Sequence, residues 1–284
     1  MNEAALALLK GSFDLHVHTS PSHFARRQDD FELLHTLDDF GMGGAVIKSH
    51  YGCTQARAEI ANRYAGARAK LFGAITLDQT VGGINPYAVQ AELYLGAKMV
   101  WLPTFHAKNQ IEKTNNKPQP VMAPPIPILD AAGRLLPEVQ AVIDLVVQYD
   151  AVLNTGHISA EESWAVCTEA VRRGAKVCLT HPDNSREAVD VEMQTALARQ
   201  GVLIDRSWFN ALRPAGGVSA AVMAWRIRAT GAEHCIMTTD FGQKSNDPAP
   251  CGMLCFVEAM LAEGISEQEI RTMICDNPRA LLGI

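Results

Sequence analysis

Short apolar runs alternate with amphipathic stretches along the whole chain. The runs fall at residues 13–16, 44–48, 71–77, 99–102, 151–154, 177–180, 202–205 and 235–239. Each is bounded by turn residues and is too short for a helix, as expected of buried strands. Gly43, Gly96, Gly174, Gly201 and Gly231 precede several of them, where a helix C-terminus takes up a left-handed residue. Between the runs the period changes to that of a helix. The stretch DDFELLHTLDDF spaces Phe31, Leu34, Leu37 and Phe40 along one face. PEVQAVIDLVVQYD does the same with Val139, Val142, Ile143 and Val146 behind Pro137. EESWAVCTEAVRR, REAVDVEMQTALAR and VSAAVMAWRIRAT carry the same pattern. AALALLK at residues 4–10 predicts a short N-terminal helix; it is too short, and lacks the basic start, for a signal peptide.

Strand–helix units at roughly 25- to 35-residue spacing predict a (β/α)8 TIM barrel, an α/β fold, as a single domain over residues 1–284. A doubly wound open sheet is the structural alternative, normally with fewer strands. One interval is too long. After strand four, residues 104–136 form a Pro-rich insertion whose middle cannot be regular helix or central strand. IPILDAAGRLL predicts a small hairpin around residues 130–133. An insertion at this point lies on the C-terminal face of such a barrel, so it is expected to wall or cover the mouth.

Composition narrows the class. Hydrophobic residues make up 48% of the 284, ample for a large core. With 25 basic and 31 acidic residues the net charge is −6. No basic block exists to neutralise phosphates, which argues against nucleic acid as a partner. No stretch approaches the roughly 20 apolar residues of a membrane span. The seven cysteines include no CxxC pair, and reduced, structural thiols in a cytoplasmic protein are the expectation. A small-molecule substrate is the expected partner, and a homo-oligomer is compatible with the chain.

Polar residues collect where the predicted strands end. His16 and His18 end strand one, Lys48 and His50 strand two, and His157 strand five. His181 and Asp183 end strand six, Asp205 and Arg206 strand seven, and Asp240 strand eight; Thr104 and His106 follow strand four. In a strand, residues i and i+2 face the same way, so His16 and His18 can share one cation. A lone HxH is a weak signal. Imidazoles and a carboxylate from four separate strand ends, converging on one mouth, suit a borderline divalent ion.

DLHVHTS, NTGH, LTHPD and TTDFG, in this order and strand phase, resemble the amidohydrolase superfamily of metal-dependent barrel hydrolases, over almost the whole chain. The resemblance implies that His16, His18 and Asp240 bind one metal, that His157 and His181 bind a second or contact substrate, and that Asp240 also shuttles protons. It implies one or two divalent ions, zinc foremost, with manganese or iron as alternatives. There is one departure. Many two-metal members bridge their ions with a carboxylated Lys or a Glu at the end of strand four, and here that strand ends Trp101, Leu102, Pro103, Thr104. Lys48 is the candidate replacement if carboxylated; otherwise it is a cationic partner for substrate or, as readily, for a neighbouring carboxylate, and His50 is a further candidate ligand. Arg206 and Lys108 are candidates for a substrate carboxylate, and His106 for a substrate contact. Trp101, Phe105 and Trp208 are candidates for an apolar wall.

The expected reaction is hydrolysis of an amide, cyclic amide or lactone. A divalent ion lowers the pKa of its water from about 15.7 toward 7, the hydroxide attacks the carbonyl, and Asp240 carries the proton to the leaving group. His181, if not a ligand, would hydrogen-bond the substrate oxygen. VIKSH also resembles, more distantly, the second-strand motif of the polymerase-and-histidinol-phosphatase (PHP) phosphoesterases. Those need further acidic ligands, and AITLDQT in strand three supplies no glutamate. Deamination, decarboxylation and a non-enzymatic metal-binding role are the remaining readings.

Overall fold

The computed structural model describes residues 3–212 and 216–284. All of its sheet pairings are parallel. β1 (Phe13–Val17), β2 (Gly44–Ile47) and β3 (Lys70–Phe72) form one run. β4 (Ala74–Thr76), β5 (Met99–Trp101), β6 (Val152–Asn154), β7 (Lys176–Leu179), β8 (Leu203–Ser207) and β9 (Cys235–Thr238) form the other. β3 and β4 are the two halves of the third predicted strand. The break is Gly73, whose N–H donates to Gln55 Oε1 at 3.1 Å. A Cβ at Gly73 would collide with the Gln55 backbone, so the strand bends there around the start of the next helix.

The ring closes between the last strand and the first. Val17 bridges Phe241 in parallel. Asp240 N donates to His16 O at 2.9 Å, and His18 N to Phe241 O at 2.7 Å. Eight barrel strands wound by helices are a TIM barrel, as the alternation of patterns predicts. Phe13, Leu15, Val46, Met99, Trp101, Val152 and Ile236 pack together inside the ring, with Leu281 and Leu282 of the C-terminal helix joining them. The larger apolar cluster lies between the strands and the helices. Many of the buried polar residues, among them His16, His18, His157 and His181, therefore gather toward the strand C-termini.

The N-terminal helix spans Glu3–Leu8. The helix Asp30–Asp39 starts in a capping box between Asp29 and Glu32; it buries Leu33, Leu34 and Leu37, while Phe31 turns outward and is exposed. REAVDVEMQTALAR is only partly helical. Asp190 accepts a hydrogen bond from Met193 N, and the helix spans Val191–Ala198, because an N-cap aspartate starts a helix rather than continuing one. Within the insertion, Leu129 pairs antiparallel with Leu135, the expected hairpin. The short helix Lys108–Lys113 was hidden by the prolines around it. No helix among the described residues is long and apolar enough to cross a membrane, and all seven cysteines are free thiols.

Gly242 sits at the closing seam with φ 137°, and a Cβ there would run into the His18 carbonyl. Strained φ and a backbone clash act together at this position. Gly242→Ala is expected to destabilise the fold by about 2–4 kcal/mol, read as a lowered thermal midpoint. An unchanged midpoint would mean that the seam is looser than these contacts require.

Candidate metal centre

Two imidazoles at the end of β1 define the centre. The β1–β2 register shifts between Asp14 and Val17, directly around His16. Asp14 ties this point to the last strand: it accepts from His16 N at 3.2 Å, Thr239 N at 3.1 Å and Thr239 Oγ1 at 2.6 Å. Burial nevertheless raises the Asp14 pKa to about 7. His18 Nδ1 lies 3.0 Å from the Lys48 carbonyl. A carbonyl only accepts, so Nδ1 carries the hydrogen and Nε2 presents a lone pair. That Nε2 is 3.0 Å from Asp240 Oδ1. His16 repeats the arrangement. Its Nδ1 is 3.2 Å from Asp205 Oδ2, and its Nε2 is 3.3 Å from the same Asp240 Oδ1. Two lone pairs thus face one carboxylate oxygen, which is repulsive unless a proton or cation lies among them.

The opposite strand ends add to this. His157 Nδ1 and His181 Nδ1 are buried without a hydrogen-bond partner, a costly state for a polar atom. The two rings are 5.1 Å apart, and His181 stacks on His16 at 5.6 Å. One ligand atom from each of His16, His181 and Asp240 lies within 4.8 Å of the others. His181 and Asp240 also have φ values of 28° and 55°, in the left-handed region that His and Asp enter more readily than most side chains.

Electrostatics sets matching protonation states. Burial lowers the pKa of His16, His18, His50 and His157, with His18 reaching about 3. For Asp240 burial acts in the opposite sense, but His16, His18 and His181 together hold the carboxyl well below its usual range. His181 is the exception: burial lowers it, but Glu187, 3.7 Å from Nδ1, and Asp240 raise it, and its pKa is raised on balance. Neutral imidazoles beside an ionised carboxylate are what a divalent ion requires. Lys48 lies in the same cluster. Its Nζ is 3.0 Å from His16 Nε2 and 5.1 Å from the Trp101 ring centroid. Burial lowers its pKa to about 8, against the pull of Asp240 and Asp205.

A cavity of about 220 Å³ opens over this cluster, lined by His18, His50, His157, His181 and Asp240 together with Phe24 and Phe105. His50 Nδ1 donates to Thr104 Oγ1 at 3.0 Å, and Thr104 donates to Asp78 at 2.5 Å. The other His50 nitrogen is thereby left as an acceptor. His16 and Lys48 lie beneath the cavity floor, both buried.

Several predicted contacts lie elsewhere. His106 accepts from Gln79 N at 3.3 Å, donates to Val121 O at 3.0 Å, and does not line the cavity. It fastens the insertion to the barrel. Arg206 is fully buried and points the other way. Its Nη1 donates to Asp183 at 2.9 and 3.0 Å and to Gln194 at 2.6 Å. The cause is strand alternation: Asp205 faces His16, so its neighbour must face the helices. Arg206→Met should therefore cost roughly 3 kcal/mol of stability, through a broken buried pair. An effect on substrate KM with the thermal midpoint unmoved would return Arg206 to the site. Lys108 is exposed beside Glu112, and Trp208 stacks on Phe256; neither lines the cavity. Asp205, Glu187, Arg26 and Arg186 are residues the sequence reading did not assign. Alternation in β8 would have identified Asp205; Arg26 sits on a loop with no periodic signal, and Arg186 and Glu187 lie in the stretch expected to be helical but precede the helix start at Val191.

The insertion borders the cavity. Phe105 lines it, and Asn109 Nδ2 donates to His157 O and Arg186 O at 3.1 Å each. One carbonyl belongs to a site strand end, so the short helix is fixed to the mouth.

Comparison with known proteins places this geometry in context. No curated protein sequence matches the chain. Among solved structures, an amidohydrolase from Pseudomonas aeruginosa is similar over 100% of both chains, with 11% identity and a TM-score of 0.66. A protein described as a 2-pyrone-4,6-dicarboxylic acid hydrolase from Pseudomonas putida has 17% identity and a TM-score of 0.65, over 96% of this chain and 97% of its own. The organophosphorus hydrolase from Deinococcus radiodurans has 14% identity and a TM-score of 0.62, over 98% of this chain and 94% of its own. These likenesses show the TIM-barrel fold. The model of a family of unknown function, DUF6282, matches residues 11–205. That span covers well over half of the chain and carries His16, His18, Lys48, His50, His157 and His181, and the chain belongs to the DUF6282 family.

Proposed function

We propose that this single-domain barrel is a metal-dependent hydrolase of the amidohydrolase type, cleaving an amide, cyclic amide or lactone. The observation that carries the proposal is the set of Nε2 lone pairs of His16 and His18 aimed at one oxygen of Asp240, with His181 in reach of the same point. His16, His18, Asp240 and His181 would hold a divalent ion, with His157 beside them; nitrogen and oxygen donors suit zinc, and also manganese or iron. Such an ion supplies a Lewis acid and an activated water. Asp240, ionised and at the cavity surface, accepts the proton lost as water adds to the carbonyl carbon and returns it to the leaving nitrogen or oxygen. Where His181 is not a ligand of the ion, its raised pKa beside Glu187 suits it instead to donate toward the oxygen on which charge develops. Asp205 holds His16 in one tautomer. Phe24 and Phe105 narrow the mouth and limit water.

The test is a panel of amides, lactones and phosphoesters presented to protein of measured metal content. Carbonyl hydrolysis that stops with a chelator and returns with zinc or manganese is the expected result. Turnover of phosphoesters alone would replace this reading with a phosphoesterase. Undiminished turnover in metal-free protein would remove the ion from the reaction.

A further inference from the structure

The rim of the cavity carries charge that the hydrolytic machinery does not use. Arg26 and Arg186 both line it, and Asp240 is the sole carboxylate among the described lining residues. Just outside, a vestibule shares Phe24, Phe105 and Arg186 with the cavity and adds Lys113 and Lys117, with no acidic residue in its lining. This cationic approach belongs to a chain whose net charge is −6, so it is a local feature.

Arg26 is held as if for a ligand. The loop after β1 is fixed by Ser20 N to Gln28 O at 2.9 Å and Arg27 N to Gly242 O at 2.9 Å. Its neighbour Arg57 has a counterion, binding both oxygens of Asp30 at 2.8 and 2.9 Å. Arg26 forms no ion pair with a described carboxylate: its Nε donates to Ser22 Oγ at 3.2 Å and its guanidinium lies 5.5 Å from the Phe24 centroid. Burial lowers its pKa to about 10, which leaves it charged at neutral pH. Arg186 likewise has only a neutral partner, Gln110 Oε1 at 3.0 Å. Half-buried guanidiniums with unused donors are expensive unless an anion meets them.

We infer that the substrate is a small anion whose acidic group, a carboxylate or a phosphate, is gripped by Arg26 and Arg186 while its scissile carbonyl faces Asp240. This rests on the hydrolase reading above and adds the substrate class. Lys113 and Lys117 then act before binding, by drawing anions to the mouth.

Calorimetric titration tests it without turnover. Glutarate, its neutral diamide glutaramide and inorganic phosphate are titrated into the purified, metal-analysed protein and into Arg26→Gln, Arg26→Lys and Arg186→Gln. Glutarate or phosphate should bind at least about tenfold tighter than glutaramide. Each Gln variant should lose about tenfold for the anion at unchanged metal content, with Arg26→Lys losing less. The tighter of the two anions identifies the acidic group. Equal affinity for glutarate and glutaramide, no anion binding at millimolar concentration, or unchanged anion affinity in both Gln variants would overturn the inference. Failure of the hydrolase reading looks different: anions would bind through the arginines, yet no carbonyl substrate in the panel would turn over.

Discussion

Asp240→Asn is expected to lower kcat by about 10² to 10⁴, the usual value of a general base, while the protein keeps much of its metal. The substitution preserves shape and one oxygen donor. It removes the negative charge toward which His16 Nε2 and His18 Nε2 point, at 3.3 and 3.0 Å. The backbone anchor from Asp240 N to His16 O at 2.9 Å is untouched, so the seam should stay closed. The wild-type acidic limb should report Asp240 and the activated water as a coupled pair, and it should vanish or move in the variant. A metal-replete Asp240→Asn protein with wild-type turnover would show that the proton travels through another group, His181 or His50.

Much of this arrangement is legible in the sequence because barrel geometry converts position along a strand into position in space. Every apolar run became a strand or a strand pair, and the residue after the run landed at the mouth. That rule found His16, His18, His157, His181 and Asp240 together. It failed where the deciding information is local. Arg206 and Asp205 are adjacent, and only the phase of β8 says which faces inward. His106 follows a strand by a few residues, enough for the chain to turn and bond Val121 instead. The cationic rim was invisible for another reason. Arg26 sits on a loop, where no period links sequence to direction, Arg186 lies in a stretch whose helical pattern starts too early, before the helix at Val191, and composition averages their charge into an acidic whole.

Replacing both His16 and His18 with alanine should abolish metal retention in protein purified without chelator. Two of the proposed donors go, and the remaining atoms of His181 and Asp240 cannot close a site alone. The loss should exceed the roughly 10- to 100-fold in affinity expected when only an orienting partner is removed, as in Asp205→Asn. A pH series provides an independent reading on chelated protein. Burial depresses the His18 pKa to about 3, whereas the unfolded chain protonates near 6.5. Between those values the unfolded state binds more protons, so stability falls as pH drops below about 6.5, by about 1.4 kcal/mol per pH unit for this residue alone. His16 acts in the same direction. His181, whose pKa is raised, acts in the other: its contribution is present at low pH and fades as pH rises through its folded value. The double variant should therefore lose its metal and at the same time unfold less steeply in acid than metal-free wild type. Equal metal content in the two proteins would sink the assignment of these ligands. Equal acid slopes, with metal lost, would mean that His16 and His18 bind the ion but are hydrated well enough in its absence to titrate normally.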